Sequence, residues 1–418
     1  MIITPTEHDA PNESSDPTEL LIKEARQKAR RRRLVVGTIL LAVVVIIAAV
    51  LIFVGRGPVA TVKTQGSGTS GAVGTGLTSG SVVNLAGVST ITASGSHAWV
   101  TIDYTAYKGD RAELKKNRYE VVELNTSSGA LERVIKNKAG DLIWPQITAV
   151  NGPNLWVGTN NSVTELNARN GSLVRVIYAK SDKLTGLAPL TVSNGRVWIA
   201  GYADHTGSVT ELNASNGSLV RVINAKADGL NGPQAIVASG SHVFVLNALG
   251  DSVTELNASN GSLVRVINAR AGCCAPRSGT FESAEPIALA VNGSSLWVTD
   301  QHAPANGGDA NNFLVELNAS NGSLVRTISA KADHLTDPDD IEVSGGHVWV
   351  EDDDYLTELN AINGSLVRVI KVNKDRFDDF TGFAVSGSRV LALNTYSGND
   401  GAIKVLNANN GKLVRVIK

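Results

Sequence analysis

Apolar and polar positions alternate along a unit that recurs through most of the chain. The unit SVTELNASNGSLVRVI stands unbroken at residues 208–223 and 252–267. Close copies begin near five further positions, which makes seven copies: Tyr119, Ser162, Phe313, Tyr355 and Ala402. In each copy, two β-branched and apolar runs flank an Asn-Gly or Ser-Gly pair, and Asn-Gly tolerates the positive φ angles of tight hairpin turns. Each copy therefore predicts a β-hairpin.

A second pair of short strands precedes each hairpin. Sequences such as ITASGSHAWV and IEVSGGHVWV place a large apolar residue at one fixed position. These residues are Trp99, Trp156, Trp198, Phe244, Trp297, Trp349 and Leu391. Both faces of the strands are mainly apolar, so we expect the sheets to be covered on both sides. Four short strands in each of seven repeats predict an all-β fold, a seven-bladed β-propeller over residues 83–418.

The strand order also predicts how the ring closes. Every repeat supplies its own four strands, which we label A to D from the axis outward, and the seventh repeat ends at Lys418. No strand is left over for exchange between the first and last blades. We therefore expect blades 1 and 7 to close by face packing, with Val414 and Val416 against blade 1.

Residues 34–54 form an uncharged stretch of 21 mostly aliphatic residues. A helix of this length spans a bilayer core of about 30 Å. Lysines and arginines cluster before the stretch, with the run Arg30–Arg33 at its edge, and few follow it. The positive-inside rule then predicts a signal-anchor: residues 1–33 form a cytoplasmic tail, 34–54 a single transmembrane helix, and the propeller lies outside the cell.

A cleaved signal peptide is the alternative interpretation of this stretch. Its apolar core would be about 7–15 residues long and would be followed by a small-x-small cleavage site. The sequence GRGPVA after residue 54 places a charge and a proline there instead, which favours the uncleaved anchor. Residues 55–82, rich in Gly, Ser and Thr, are typical of a flexible linker.

The net charge of −1 argues against nucleic acid as a partner. With the propeller outside the membrane, the expected partner is an extracellular protein or a cell-envelope ligand.

Loop lengths distinguish the two faces of the predicted ring. The distance from the strand-C leucine to the hairpin glycine is always 5 residues, whereas the distance from the large apolar position to that leucine varies from 10 to 25 residues. The A–B and C–D turns should share one side, the turn face, and the variable B–C and D–A loops the other, the loop face. Loops that depart from a repeat's minimum carry function more often. The predicted ligand-binding residues belong to the loop face: Tyr104, Trp144, His205, Asp300, His302, Asp352 and Asp353.

Cys273 and Cys274 lie in the longest D–A insertion and are the chain's two cysteines. In an oxidising compartment they are predicted to form a disulfide with each other. Two free thiols, or pairing with another chain, are the alternatives.

Carboxylates cluster around blades 6 and 7, as in Asp339, Asp340 and Glu351–Asp354. They could hold Ca²⁺, but no D-x-D-x-D-G pattern is present, so a solvated acidic rim is favoured. We expect no metal and no cofactor. The repeated histidines His97, His242 and His347 are interpreted as residues of the A–B turns.

The repeat, followed by a strand that begins at Pro145, Pro189, Pro233, Pro286 or Pro338, resembles the YVTN/NHL type of β-propeller. That family includes extracellular sensor and adhesion propellers, lactonases and streptogramin lyases. Together with the anchor predicted from residues 34–54, the resemblance implies a binding module that acts as a surface sensor or scaffold. The alternative is an anchored, lactonase-like hydrolase or lyase on the loop face, which metal-dependent turnover requiring His302 or Asp300 would indicate.

Overall fold

The computed structural model describes residues 85, 87–103, 119–136, 142, 145–159, 162–178, 189–203, 206–224, 229–268, 284–302, 312–329, 335, 337–352, 355–372, 379–395 and 401–417. The chain separates into two units, Met1–Ser70 and Gly71–Lys418, and all described residues belong to the second. Among them no helix is long and apolar enough to cross a bilayer. The predicted tail, anchor and linker, residues 1–82, lie entirely outside the described residues.

The described residues form seven antiparallel four-stranded sheets, each built from consecutive strands. Blade 1 contains β1 (Val88–Ser94), β2 (His97–Asp103), β3 (Tyr119–Asn125) and β4 (Leu131–Lys136). Blade 2 contains β5 (Ile147–Asn151), β6 (Asn154–Gly158), β7 (Ser162–Asn167) and β8 (Leu173–Tyr178). Blade 3 contains β9 (Leu190–Ser193), β10 (Arg196–Ala203), β11 (Thr206–Asn213) and β12 (Leu219–Asn224). Blade 4 contains β13 (Pro233–Ser239), β14 (His242–Asn247), β15 (Ser252–Asn257) and β16 (Leu263–Asn268).

Blade 5 contains β17 (Ala284–Asn292), β18 (Ser295–His302), β19 (Phe313–Asn318) and β20 (Leu324–Ser329). Blade 6 contains β21 (Pro338–Ser344), β22 (His347–Asp352), β23 (Tyr355–Asn360) and β24 (Leu366–Lys371). Blade 7 contains β25 (Asp379–Ser386), β26 (Arg389–Thr395), β27 (Ala402–Asn407) and β28 (Leu413–Ile417). The predicted all-β, seven-bladed propeller is therefore confirmed.

The first strand of each sheet lies nearest the axis of the ring. Strands β1, β5, β9, β13, β17, β21 and β25 contact one another in that order, and β25 contacts β1. The hydrophobic core lies between the blades, since its clusters join neighbouring sheets. In one of them, buried Trp156 of blade 2 packs with Val197 and Ile199 of blade 3. Full burial of such side chains stabilises the fold by about 1.5–3 kcal/mol each.

The outermost strand departs from the expectation that both faces are covered. The first two apolar residues of strand D are exposed in several blades, as at Leu173, Val174, Leu324 and Val325. Every described C–D hairpin has a bulge at the second residue of this pair: Leu219 lies opposite Leu212 and Arg221 opposite Glu211, so Val220 is the extra residue. The first part of strand D therefore leaves apolar side chains exposed, although the hairpin turn itself contacts the preceding blade, as where Arg175 Nη2 donates to Ser215 O.

The A–B and C–D turns lie on the same side of each blade, as predicted. A backbone amide of the C–D turn donates to a carbonyl of the A–B turn in all seven blades, for example Ala214 N to Gly195 O at 2.9 Å. The asparagine that ends strand C caps the hairpin, since Asn213 Oδ1 accepts from the amide of Ser215 at 2.8 Å. Asn216 Oδ1 accepts from the amide of Ser218 at 2.9 Å. The repeated asparagines are therefore turn residues.

Blade 7 closes on blade 1 by face packing, as expected, and β25–β28 form their own complete sheet. Side chains of both blades share one buried cluster. The residues in contact differ from those expected, however. A Cβ at Gly129 of blade 1 would lie 2.9 Å from Arg415 Cδ and 3.2 Å from Ile417 Cδ1. Because successive side chains alternate faces, Val414 and Val416 point the other way.

Candidate functional site

A row of four directly opposed residues crosses each sheet from the axis to the outer edge. In blade 3 it consists of Thr191, Trp198, Glu211 and Arg221. Directly opposed residues in an antiparallel sheet share one face. That face meets the next blade, since Arg221 Cδ lies against the position of Gly261 in blade 4.

The Glu–Arg part of this row belongs to the structural framework. Arg221 Nε lies 2.7 Å from Glu211, whose side chain is fully buried, and Arg196 Nε lies 2.8 Å from its other oxygen. Equivalent pairs occupy blades 1 to 6 of the described structure, while blade 7 has Val405 opposite Arg415. Desolvation by burial raises the pKa of the Glu211 carboxyl, against the lowering effect of the two arginines.

The same arginines join each blade to the next. Arg175 Nη2 donates to Ser215 O in blade 3 at 2.9 Å, and Arg265 Nη2 donates to Ser320 O in blade 5 at 2.8 Å. Because these contacts repeat around the ring, most side chains near the turn face are the same from blade to blade and belong to the structural framework. Side chains that break the repeat therefore mark the candidate site.

The inner strands break the repeat in their charge. Their charged residues are all acidic and all belong to blades 5 to 7: Glu285, Asp339, Asp340, Glu342 and Asp379. The inner strands of blades 1 to 4, as described, contain no charged residue. The charged positions of the described inner strands are therefore confined to blades 5 to 7, and β21 of blade 6 carries three of the five.

Glu342 occupies the inner end of the row in blade 6, opposite Trp349. Its Oε2 accepts a hydrogen bond of 2.9 Å from the backbone amide of Val385 in β25. Because β25 is the end strand of its sheet, this carboxyl satisfies a main-chain donor on the inner edge of blade 7. Desolvation by burial raises the pKa of Glu342 to about 8, and nearby Asp340 adds to the rise.

Asp340 lies two residues before Glu342 and faces the same side of β21. Its Oδ1 accepts from the amide of Ile341 at 2.8 Å. Water reaches its surface, yet protein atoms surround the carboxyl closely, and this desolvation raises its pKa to about 6. At pH 7 the Asp340 carboxyl is therefore mainly ionised and the Glu342 carboxyl mainly protonated. A proton acceptor then lies beside a proton donor.

Contacts from blade 5 position the third carboxyl of β21. Gln301 Nε2 donates to Asp339 Oδ1 at 2.8 Å and to Pro338 O at 3.3 Å. Pro338 begins β21 at the loop face, so these acidic groups extend from that face toward the middle of the inner strand. We call Asp339, Asp340 and Glu342 the acidic strand.

Asp300 and Asp352, two of the predicted ligand-binding residues, are buried. They occupy equivalent positions, three residues after Trp297 and Trp349. Asp352 Oδ1 accepts from the amide of Asp337 at 2.9 Å, which holds the chain that enters blade 6. Asn247 makes the same bond to Asn231 in blade 4 at 3.1 Å. Asp352 thus has a framework role that sequence reasoning missed, and its ligand contact stays a prediction.

Of the other predicted site residues, the structure gives a backbone position for one. His302 ends β18, opposite Ala284, on the loop face. The remaining residues lie outside the described part of the chain: Tyr104, Trp144, His205, Asp353, Cys273 and Cys274. Their ligand-binding roles and the disulfide stay predictions.

The repeated histidines His97, His242 and His347 are expected within the A–B turns, and in the structure each is the first residue of strand B, directly after the turn. His242 Nδ1 lies 2.6 Å from Glu255 Oε1, and its ring stacks on Phe244. His347 Nδ1 lies 2.9 Å from Glu358 Oε1. Both therefore act as second partners of the framework glutamates.

Glu342 is the member of the acidic strand that sequence reasoning missed. The signal is present in the aligned inner strands, where the position opposite the large apolar residue holds Thr, Ala or Val in the other blades. A glutamate at that one place departs from the pattern of the repeat.

Comparison with solved structures supports the fold. The chain is similar to hydrazine synthase from Kuenenia stuttgartiensis, with 15% identity, a TM-score of 0.57, and coverage of 79% of this chain and 97% of that one. It is also similar to the Neurospora crassa Pan2 WD40 domain, with 10% identity, a TM-score of 0.53, and coverage of 78% and 91%. Dihydro-heme d1 dehydrogenase NirN in complex with DHE matches at 14% identity and a TM-score of 0.47, over 79% and 66%. At these identities the likeness to the first two structures shows the propeller fold alone.

No family model and no curated protein sequence matches the chain.

Proposed function

We propose that this protein is a membrane-anchored, extracytoplasmic β-propeller that binds a cationic group of an extracellular protein or cell-envelope ligand. The observation that carries the proposal is the one-sided charge of the inner strands, where every charged residue is acidic. A concave site with convergent polar groups is the usual place for a ligand. The apolar stretch at residues 34–54 supports the anchoring, and the YVTN/NHL resemblance supports a surface sensor or scaffold.

The charge state of the acidic strand favours an amine or guanidinium group. Asp339 and Asp340 lie toward the loop face, where a ligand enters, and the pKa of Asp340 near 6 leaves its carboxyl mainly ionised at pH 7. Partial enclosure by protein strengthens the attraction between opposite charges relative to bulk water. Protonated Glu342, deeper along the strand, can donate a hydrogen bond to the same ligand.

The test is calorimetric titration of the purified full-length protein with a short oligolysine peptide. Asp340→Asn should weaken binding about ten-fold, equivalent to about 1.4 kcal/mol. Glu120→Gln is the matched control, because it removes one carboxyl from β3, which is not an inner strand, and should leave affinity unchanged. Equal affinity in Asp340→Asn and the parent protein would refute the cationic-ligand proposal.

A second candidate function is an anchored hydrolase or lyase. It is supported by the separation of the pKa values of Asp340, about 6, and Glu342, about 8, since acid–base pairs in enzymes are separated in this way. Turnover of lactone or ester substrates that is lost in both Asp340→Asn and Glu342→Gln would favour the enzyme. Peptide binding without turnover would favour the binding module.

A further inference from the structure

Blade 1 contains a group of three potential metal ligands on the turn face. His97, Glu123 and Glu132 each offer one donor atom, and these atoms all lie within 4.8 Å of one another. His97 Nδ1 lies 3.0 Å from Glu123 Oε1 and 2.7 Å from Glu132 Oε2. One nitrogen and two carboxylate oxygens are a donor set that suits Zn²⁺.

Neighbouring side chains orient both carboxylates toward His97. Arg133 Nη1 lies 3.1 Å from Glu123 Oε2, and Asn125 Nδ2 donates to Glu132 Oε1 at 3.0 Å. Each glutamate therefore has one oxygen held by a neighbour and the other oxygen facing the imidazole. Such outer partners are typical of metal sites, where they fix the direction of the ligands.

The arrangement is open enough for an ion to enter. The His97 side chain is 42% exposed and that of Glu132 is 28% exposed, whereas Glu123 is buried beneath them. Three protein ligands with one side open to solvent leave a position for water.

The repeat itself provides the comparison. Blades 4 and 6 have the same His–Glu contact, at His242–Glu255 and His347–Glu358. At the position of Glu132, however, they carry Val264 and Val367, as their strands LVRVIN and LVRVIK show against LERVIK of β4. Glu132 is thus the single change that adds a third ligand to a shared pair.

We propose that His97, Glu123 and Glu132 bind a divalent transition-metal ion, with Zn²⁺ the preferred occupant. The site is separate from the acidic strand, because the A–B and C–D turns lie at the opposite end of the blades from the start of β21. The ion would join β2, β3 and β4 of blade 1. Cation binding here does not depend on the ligand proposed for the loop face.

The experiment is calorimetric titration of purified full-length protein with Zn²⁺, and with Co²⁺ to record the visible absorption of the bound ion. All variants carry Cys273→Ser and Cys274→Ser, so that thiolates do not contribute. Glu132→Val, which reproduces blades 4 and 6, should remove one bound ion or weaken its affinity at least ten-fold. His97→Ala should do the same and should abolish the Co²⁺ spectrum.

A variant that creates a new metal site tests the proposal even if the variants that remove a ligand do not fold. Val264→Glu places a carboxylate beside His242 and Glu255, at a residue already 42% exposed, and should add one bound ion per chain. Thermal melting followed by circular dichroism checks that each variant is folded. Zn²⁺ binding that is unchanged in folded Glu132→Val, or no Zn²⁺ binding by the parent protein, would overturn the proposal.

Discussion

Glu342 stands at the inner end of a cross-sheet row whose outer part is the same in six blades. Its carboxyl lies between blades 6 and 7, accepts from Val385, and is mainly protonated at neutral pH because burial raises its pKa to about 8. The side chain thus combines a structural bond with a titration close to physiological pH. Stability and ligand binding should both respond to its protonation.

The first consequence is a pH-dependent stability. The ordinary pKa of Glu342 is 4.5 and its folded value is about 8, so the folded protein holds this proton more tightly between those values. The free energy of unfolding should therefore fall as pH rises from about 4.5 to about 8. Glu342→Gln retains an acceptor for the Val385 amide, so this variant should show a shallower fall in chemical denaturation measured at a series of pH values.

Asp340→Asn provides a comparison within the same strand. The folded pKa of Asp340 is about 6 against an ordinary 3.8, so this variant should flatten the profile below about pH 6. Because the Asp340 charge also helps to raise the pKa of Glu342, the variant should move the upper end of the fall to lower pH without removing it. An identical profile for Glu342→Gln and the parent protein would show that Glu342 does not titrate in this range.

Residue identity alone predicts part of this site. Asp339 and Asp340 stand out as members of an acidic segment after Pro338, but the linear sequence does not show how closely the surrounding protein encloses the Asp340 carboxyl. Glu132 lies at a position that is exposed in most other blades, so polarity there is unremarkable in a linear sequence. Its meaning depends on the distance to His97, which is 35 residues away in the chain.

At the scale of the element, the C–D hairpin serves both as a turn and as a contact between blades. Gly217 has a φ of 72°, and a Cβ there would lie 2.8 Å from Arg175 Cδ of the preceding blade. Two separate requirements therefore select glycine at this turn. Gly240, in an A–B turn, has a φ of 58°, but a Cβ added there would meet no atom within 4 Å, so only the backbone requirement applies.

These two glycines allow the contact energy to be separated from the backbone strain. Gly240→Ala should destabilise the protein by about 1 kcal/mol, the cost of a left-handed alanine. Gly217→Ala should cost about 1 kcal/mol more, because the Arg175 side chain must also move. Chemical denaturation measures both, and affinity for the oligolysine peptide should stay unchanged. Equal costs for the two variants would contradict the proposed role of the hairpin contact.

Strand pairing and turns are predictable because they depend on short-range patterns. Period-2 alternation shows that Arg415 and Ile417 share a face, but it does not show which face meets blade 1. Apolar character alone favours Val414 and Val416 for that interface. The interface instead uses the aliphatic part of an arginine, which packs against the glycine turn.

At the scale of the whole molecule, the proposed anchor rests on the sequence of residues 34–54 and the basic run before it. The expected orientation places the propeller outside the cell, with residues 1–33 in the cytoplasm. A reporter enzyme fused after Lys418 should be active outside, and protease added to intact cells should digest the propeller. Recovery of a soluble form that begins near Thr61 would indicate a cleaved signal peptide instead.

The direction of the contacts between blades has a consequence for assembly. The arginine of strand D in each blade packs against the hairpin glycine of the next blade. Arg175 contacts Gly217 in this way, and Arg415 of blade 7 contacts Gly129 of blade 1. Every joint is therefore head-to-tail, and such a joint closes into a ring or continues as an open chain. Blade 7 meets blade 1 of its own molecule at a far higher effective concentration than that of another molecule. If blade 1 separates from blade 7, strand D of blade 7 is exposed, and its surface fits the hairpin turn of blade 1 in any neighbouring copy. Opening one joint would therefore turn a closed ring into a unit of a polymer.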